Sequence, residues 1–285
     1  MMKNALVTMA LALLATFVGV KVFAPAGGAA AAQETAYERV MRTGVLRCGY
    51  MSWPPYTVVN PNTGEPEGAM RELVDDAGKR LGLKVEWVEQ IGFGEVVTAL
   101  NAGRFDATCT PVWINAERGK HISFLTPLFY NGVYAYVRQD DMRFDADISL
   151  ANQPSVHIST QDGTSADVIA RRDFPLAQRF SIPQSADITG IFLNVANKKA
   201  DIVFNDASVG KEFIRNNPNT LKQVGVAPYL VLPAALTIAM GEPDLRDMLN
   251  AVFTEMQSQG VIDRVIRKYE QDRNVVLTPA KPYQQ

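Results

Sequence analysis

The amino-acid sequence predicts an α/β protein with two α/β units and a ligand cleft between them. An alternation of predicted strands and helices occurs twice along the chain. After the second alternation, an extended segment leads into two further helices. Because the chain then passes between the units twice, a cleft forms between them. The 285 residues, 47% hydrophobic and 20% charged, are ordinary for a globular protein and suffice for one large or two medium domains.

The first alternation of strands and helices predicts a parallel sheet. The stretches VLRCGY and KVEWVEQ are typical of strands, and the segment between them has apolar residues at helical spacing. The predicted segments are strand 45–50, helix 68–83, strand 84–90, helix 93–103 and strand 104–110. A βαβαβ order of this kind predicts right-handed crossovers with helices on the sheet faces.

The second alternation of strands and helices predicts another α/β unit. It consists of strand 154–160, helix 165–174, and then a helix and a strand within 186–206. The stretch PYLVLPAALTIAM that follows is extended, apolar and too long for one short strand. Residues 244–269 are predicted as two closing helices separated at Gly260.

Ligand-binding groups are expected in the loops at the strand ends. In open α/β sheets, ligands bind outside the carboxyl ends of the strands. The loops concerned follow Tyr50, Thr110, Thr160 and Phe204.

The first of these loops carries two aromatic side chains. Trp53 and Tyr56 flank Pro54 and Pro55, which stiffen the loop and hold the rings in place. The rings could stack on planar, apolar or cationic ligand groups, or they could cover the edge of the sheet.

The second loop, CTPVWINAERG, ends in an arginine. The five-donor fork of Arg118 could bind a carboxylate in a bidentate pair. Spacing alone leaves open the alternative of a surface arginine paired with Glu117.

The two loops of the second unit offer an anion cradle and a carboxylate. After Gly163, the hydroxyl and amide groups of Thr164 and Ser165 at a helix start could hold an anion, or these residues could simply cap the helix. Asp206 could receive an ammonium group or cap the helix that follows it. Together, the four loops predict a receptor for a small zwitterion or carboxylate.

Nucleic acid and metal ligands are not expected. The net charge is −2, with no basic cluster for phosphates, and two cysteines and two histidines stand at no ligand-like spacing. Cys48 and Cys109 lie in apolar strands, which favours free, buried thiols, although an oxidising compartment permits one disulfide.

The N-terminus predicts a secretory signal peptide over residues 1–32. Lys3 precedes an apolar run, and a stretch of small residues ends near Ala32, where cleavage is expected. The alternative is an uncleaved membrane anchor.

The order and spacing of these motifs resemble one known family. VLRCGYMSWPPY, a Gly-Arg-Phe-Asp strand, a loop ending in Glu-Arg, Phe-x-x-Pro-Leu-Phe-Tyr, Gly-Thr-Ser and Ala-Asp-Ile-Val-Phe-Asn-Asp are similar to the corresponding blocks of the family 3 bacterial extracellular solute-binding proteins, of the polar amino acid type. The resemblance extends from about Val45 to Glu270.

The resemblance implies the two-lobed periplasmic binding protein fold (type II), with two hinge strands near residues 137–139 and 236–239. Lobe 1 is then 33–137 plus 237–285, and lobe 2 is 138–236. It also implies a monomer in the periplasm that delivers a small ligand to an ABC permease in the inner membrane, without catalytic residues or a cofactor.

The resemblance also assigns the ligand contacts residue by residue. Trp53 would stack on the ligand side chain, Arg118 would clamp the carboxylate with the Thr110 hydroxyl nearby, Thr164 and Ser165 would share the carboxylate, and Asp206 would receive the amino group. Trp113 departs from the pattern, because relatives carry a small Ser or Thr there. The indole could wall off one side of the site, form an aromatic box with Trp53, or pack between the lobes.

Two other functions share these residues. A dehydratase of cyclic carboxylates on the same scaffold would need a general acid, for which Asp206 or Glu72 could serve. A sensory or accessory protein would present its ligand state to a membrane partner.

Overall fold

The computed structural model describes residues 34–270 and 275–279. The chain divides into two parts, Met1–Thr35 and Ala36–Gln285. Every element below, including those of both α/β units, belongs to the second part. The predicted signal peptide, residues 1–32, lies outside the described residues. Within the described ranges, no helix combines the length and apolarity that a membrane span needs.

The elements alternate between strands and helices along most of the chain. The strands are β1 (Val45–Tyr50), β2 (Val58–Val59), β3 (Pro66–Glu67), β4 (Lys84–Gln90), β5 (Ala107–Trp113), β6 (Ile122–Phe124), β7 (Phe129–Arg138), β8 (His157–Gln161), β9 (Gln178–Ile182), β10 (Ile202–Asp206), β11 (Leu221–Gln223), β12 (Leu230–Ala239) and β13 (Val276–Leu277). The α-helices are α1 (Ala36–Thr43), α2 (Ala69–Leu81), α3 (Val96–Asn101), α4 (Ser165–Asp173), α5 (Thr189–Ala196), α6 (Ala207–Asn216), α7 (Pro243–Ser258) and α8 (Val261–Tyr269). Two short 3-10 helices cover Arg118–Lys120 and Ile148–Ala151.

Eleven of the described strands form one mixed sheet, with the main order β4-β1-β5-β12-β7-β10-β8-β9. On one side, β1 pairs in parallel with β4 and β5, and on the other side β8 pairs in parallel with β9 and β10. Both α/β units predicted from the sequence are therefore present, each with a parallel sheet.

Two long antiparallel strands join the units at the middle of the sheet. The strands β7 and β12 pair with each other from Val133↔Leu230 to Phe129↔Ala234. β12 continues along β5 of the first unit, and β7 continues along β10 of the second. The two predicted hinge segments fall at the ends of these strands, and the bounds predicted for the lobes remain a prediction.

Apolar periodicity explains the helices that cover the sheet. In α2 the residues at helical spacing, Met70, Leu73, Val74 and Ala77, are all buried. Gly260 separates α7 from α8 as predicted, with a φ of 68° that a glycine adopts without strain.

The strand β9 was missed by the sequence prediction, which placed two helices in succession there. Its residues Gln178–Ile182 are mostly polar and exposed, because β9 lies at the edge of the sheet and pairs only with β8. A strand of this kind lacks the buried apolar pattern that reveals strands in a sequence.

Cys48 and Cys109 form a disulfide, so the prediction of free thiols is wrong. The cysteines lie in the adjacent parallel strands β1 and β5, with their Cα atoms 5.4 Å apart and both side chains at most 1% exposed. Cys48 pairs with Ala107, and Cys109 stands two residues further on the same face of the sheet. Spacing along the sequence does not reveal this proximity, which depends on the strand order.

We expect the double variant C48A/C109A to lose about 4 kcal/mol of unfolding free energy, because a crosslink closing a loop of 61 residues restricts the unfolded chain. Urea unfolding of the wild type with and without reductant, and of the variant, measures the loss. Reductant should leave the variant unchanged. Two titratable thiols in the oxidised, denatured wild type would contradict the disulfide.

Candidate functional site

A cavity of about 480 Å³ of atom-free space, part of it open to solvent, lies between the two units. It is lined by loops and helix starts that follow the carboxyl ends of strands in both units, as predicted. The lining residues are Trp53, Phe93, Trp113, Arg118, Thr164, Ser165, Ala166, Ile188, Asn205, Asp206 and Val209.

Arg118 is a buried cation that links the two units. It begins the 3-10 helix after β5 and is 5% exposed. Its Nη2 group donates to the backbone oxygens of Phe93 (2.6 Å) and Gly163 (2.8 Å), while Nε finds no hydrogen-bond partner among the described residues. Burial lowers the pKa of the guanidinium to about 10, so it remains protonated at neutral pH.

The alternative of an exposed Arg118 paired with Glu117 does not hold. The Glu117 carboxylate accepts instead from Nη2 of Arg171 at 2.6 Å, in an exposed pair between the two units. The Arg118 guanidinium is left without a carboxylate partner among the described residues, although it is almost fully removed from water.

The start of α4 combines a capped helix with free amides. The Thr164 hydroxyl accepts from the backbone N–H of Asp167 (3.4 Å) and donates to the Gln161 oxygen (2.7 Å), so Thr164 is an N-cap. The N–H groups of Ser165 and Ala166 lie in the first turn, where a helix offers them no internal acceptor. The Ser165 hydroxyl accepts from Nδ2 of Asn115 at 2.9 Å.

The backbones of the two units touch at Gly94 and Gly163. A Cβ atom on Gly163, which has a φ of 75°, would lie 2.9 Å from the Gly94 oxygen, and one on Gly94 would lie 2.3 Å from the Asp162 oxygen. Only glycine permits this approach, which brings the start of α4 within reach of Arg118.

Asp206 is a buried carboxylate at the end of β10. Its Oδ1 accepts from the backbone N–H groups of Ser208 (2.8 Å) and Val209 (3.3 Å) and from the Ser208 hydroxyl, so Asp206 caps α6. Its Oδ2 accepts from the indole Nε1 of Trp53 at 3.0 Å, so this hydrogen bond joins the two α/β units at the cavity. Burial raises the pKa of this carboxyl, and the hydrogen bonds partly oppose that rise.

Three aromatic rings meet at the cavity. Trp53 makes edge contacts with Phe93 and Trp113, at centroid distances of 5.9 and 6.4 Å and interplanar angles of 85° in both pairs. Trp113 ends β5 opposite Ala234 and packs against two hydrophobic clusters, and its Nε1 has no hydrogen-bond partner among the described residues. Trp113 therefore both lines the cavity and packs between the units.

Two residues predicted to contact the ligand, Thr110 from the resemblance and Tyr56 from its place in the first loop, do not line the cavity. The Thr110 hydroxyl is buried and bonded to the backbone of Met51 (3.1 and 3.0 Å) and to Thr57 (3.0 Å). The Tyr56 ring packs between Trp53 and Phe129, at 5.7 and 5.4 Å, one layer behind the cavity wall. Their distance from the cavity follows from packing of the first loop against β5.

The sequence prediction missed five lining residues. They are Phe93, Ala166, Ile188, Asn205 and Val209. Asn205 and Ala166 adjoin predicted residues, and Phe93 begins a predicted helix, but an apolar side chain carries no signal that separates a cavity wall from the core.

The described residues offer no metal site and no second acid at the cavity. No cluster of three or more histidine, cysteine or acidic side chains in the described ranges could hold a metal ion. Glu72 bonds to Lys268 (2.6 Å) and Tyr269 (3.0 Å) outside the cavity lining, and its pKa is lowered chiefly by the Lys268 hydrogen bond.

Comparison with known proteins gives a consistent family. The family model of the bacterial extracellular solute-binding proteins, family 3, matches residues 46–272. A probable ABC transporter extracellular-binding protein of Bacillus subtilis is 26% identical over 61% of this chain and 60% of its own length. The ABC transporter arginine-binding protein 1 of Escherichia coli is 23% identical over 75% of this chain and 85% of its own.

A solved structure supports the fold. The crystal structure of an ancestral amino acid-binding protein, described as a precursor of cyclohexadienyl dehydratase, aligns with a TM-score of 0.70 and 24% identity over 82% of this chain and 99% of its own. The mixed sheet with two α/β units thus has the two-lobed architecture of amino acid-binding proteins.

The buried carboxyl of Asp206 predicts a pH-dependent difference between the ligand-free wild type and Asp206→Asn. Because the folded-state pKa is raised by burial, the stabilisation by the protonated form is complete below the unfolded pKa and is lost as the pH rises through the folded pKa. The melting temperature of the variant relative to the wild type should therefore rise from pH 4 towards pH 7. Loss of the hydrogen bond from Trp53 adds an offset to this difference in melting temperature that does not depend on pH. A difference that stays constant from pH 4 to pH 7 would contradict the raised pKa of Asp206.

Proposed function

The chain belongs to the bacterial extracellular solute-binding proteins, family 3, and on that premise we propose that it captures a small zwitterion or carboxylate between its lobes and delivers it to an ABC importer. The observation that carries the proposal is one cavity lined by a buried guanidinium, Arg118, and a buried carboxylate, Asp206. Two opposite charges in a site of low dielectric favour a ligand that carries both.

The carboxylate of the ligand binds between Arg118 and the start of α4. The Nε–H of Arg118 has no partner among the described residues, and an arginine fork binds a carboxylate with charge and orientation. The amides of Ser165 and Ala166 add donors at the positive end of a helix dipole. The apolar residues Ile188 and Val209 and the aromatic rings then surround the rest of the ligand.

The positive group of the ligand binds beside Asp206. The four donors that bond to this carboxylate belong to Ser208, Val209 and Trp53 and are all uncharged, so its negative charge is not neutralised by them. A cation in the cavity supplies the missing charge and stabilises the ionised carboxylate.

Closure of the lobes couples binding to transport. Bonds across the cavity join Trp53 to Asp206, Asn115 to Ser165 and Arg118 to the Gly163 oxygen. We take lobe 1 as 33–137 plus 237–285 and lobe 2 as 138–236, joined through β7 and β12. A ligand that contacts both lobes shifts the hinge equilibrium by its greater affinity for the closed form. The closed monomer in the periplasm, freed of its signal peptide, is the form that the permease recognises.

A panel of amino acids, betaines and small carboxylates, tested by thermal shift and calorimetry, identifies the ligand. We expect Arg118→Gln to weaken its binding about 30-fold or more, because loss of one partner of a buried charge pair costs at least about 2 kcal/mol. Arg104→Gln is the matched control, since Arg104 is half-exposed and pairs with Glu89 outside the cavity. Circular dichroism confirms folding of both variants. Equal affinities of wild type and folded Arg118→Gln would contradict the proposal.

One observation favours a second function, the dehydration of a cyclic carboxylate. A carboxyl with a raised pKa, Asp206, shares the cavity with an arginine, as a general acid for such a reaction requires. Under the binding proposal we expect no turnover of prephenate or arogenate by the purified protein, measured by product absorbance. Turnover that Asp206→Asn abolishes would replace the binding proposal with the enzymatic one.

A further inference from the structure

We infer that the positive centre of the ligand is an N-alkylated ammonium, cyclic or quaternary, rather than the free primary ammonium of the common amino acids. This inference rests on the proposed function and names the ligand class of the same cavity. It follows from the hydrogen-bond acceptors around Asp206 and from the rings of Trp53, Phe93 and Trp113.

Every side-chain oxygen of the cavity lining already accepts at least one hydrogen bond. Asp206 Oδ1 accepts from three donors and Oδ2 from Trp53. The Asn205 Oδ1 accepts from the backbone N–H of Asp206 at 2.8 Å, the Ser165 hydroxyl accepts from Asn115, and the Thr164 hydroxyl accepts from an amide of its own helix.

The two backbone oxygens that face Arg118 each accept a hydrogen bond as well. Nη2 of Arg118 donates to the oxygens of both Phe93 and Gly163. Trp113 cannot help, because an indole offers a donor and no acceptor.

The hydrogen-bond acceptors that remain in the cavity suit a primary ammonium poorly. It carries three N–H donors, and the carboxylate of Asp206, with about four lone-pair sites and four donors, has almost no capacity left. Only the second lone pairs of neutral oxygens that already accept one bond then remain for those donors. Donors buried without acceptors weaken binding. A quaternary nitrogen has no N–H group, and a cyclic secondary or tertiary one has one or two, so it gains the attraction of the carboxylate at little or no such cost.

The aromatic rings of the cavity offer apolar and cation–π contacts to an alkylated ammonium. Trp53 meets Phe93 and Trp113 at nearly right angles, so that the three cavity-lining rings are turned in more than one direction. Alkyl groups on a cationic nitrogen are apolar and share its positive charge, and aromatic faces attract them through cation–π interactions. The negative charge of Asp206, held against Trp53 at 3.0 Å, adds to this attraction.

Calorimetry with two matched ligand series tests the inference. The series are glycine with its mono-, di- and trimethylated forms, and alanine with trimethylalanine, in which the carboxylate is constant and only the nitrogen changes. We expect the affinity to rise about tenfold or more from the primary to the quaternary member of a series, which corresponds to the 1.4 kcal/mol of one affinity decade.

Variants of Trp113 make the test specific to the site. Trp113→Ser adds a hydroxyl acceptor and removes a ring, so it should reverse the preference towards the primary amines. Trp113→Phe should keep the preference. The control is Trp87→Phe, since Trp87 donates to Asp75 away from the cavity lining and its loss should change nothing.

The outcomes separate the two proposals. Equal or tighter binding of the primary amines by the wild type overturns this inference and leaves the proposed function standing. Failure of both series and of every zwitterion and carboxylate in the wider panel overturns the proposed function together with the inference. A rise with methylation that persists in folded Trp113→Ser overturns the role of the Trp113 ring.

Discussion

The burial of Arg118 and Asp206 in one cavity is the constraint on which the rest of the site depends. A charge removed from water must be compensated by hydrogen bonds or by an opposite charge. Among the described residues, the partners are backbone oxygens for Arg118 and neutral donors for Asp206. Under the proposed function, the opposite charges come from the ligand, which would carry one charged group for each residue.

The sheet topology places these two charges face to face. The residues belong to different α/β units, in which Arg118 follows β5 and Asp206 ends β10, and the strands β12 and β7 lie between β5 and β10 in the sheet. Because Asp206 ends its strand and Arg118 lies in the segment that follows its strand, the parallel packing of each unit fixes one side of the cavity. Under the proposed function, a hinge between the units controls the distance across the cavity.

Much of this arrangement could be predicted from the sequence, and the remainder depended on neighbours in space. Strong apolar periodicity revealed α2 and the parallel strands, and charged or aromatic side chains at strand ends revealed Trp53, Arg118 and Asp206. The disulfide of Cys48 could not be foreseen, since it requires the order of strands. Thr110 looked like a ligand group, yet its hydroxyl bonds to the loop behind the cavity. The edge strand β9 has no buried face to produce a pattern.

The contact between Gly94 and Gly163 gives this molecule an adjustable closing distance. Under the proposed function, a methyl group at either position would stand within 3 Å of backbone oxygen on the other side of the cavity and act as a wedge against closure. Such a wedge penalises the closed form alone, so affinity falls by the fraction of closed molecules that is lost. Because the Gly163 oxygen also accepts a hydrogen bond from Arg118, Gly94 is the better position at which to tune the working concentration range of a fluorescent sensor built on this scaffold.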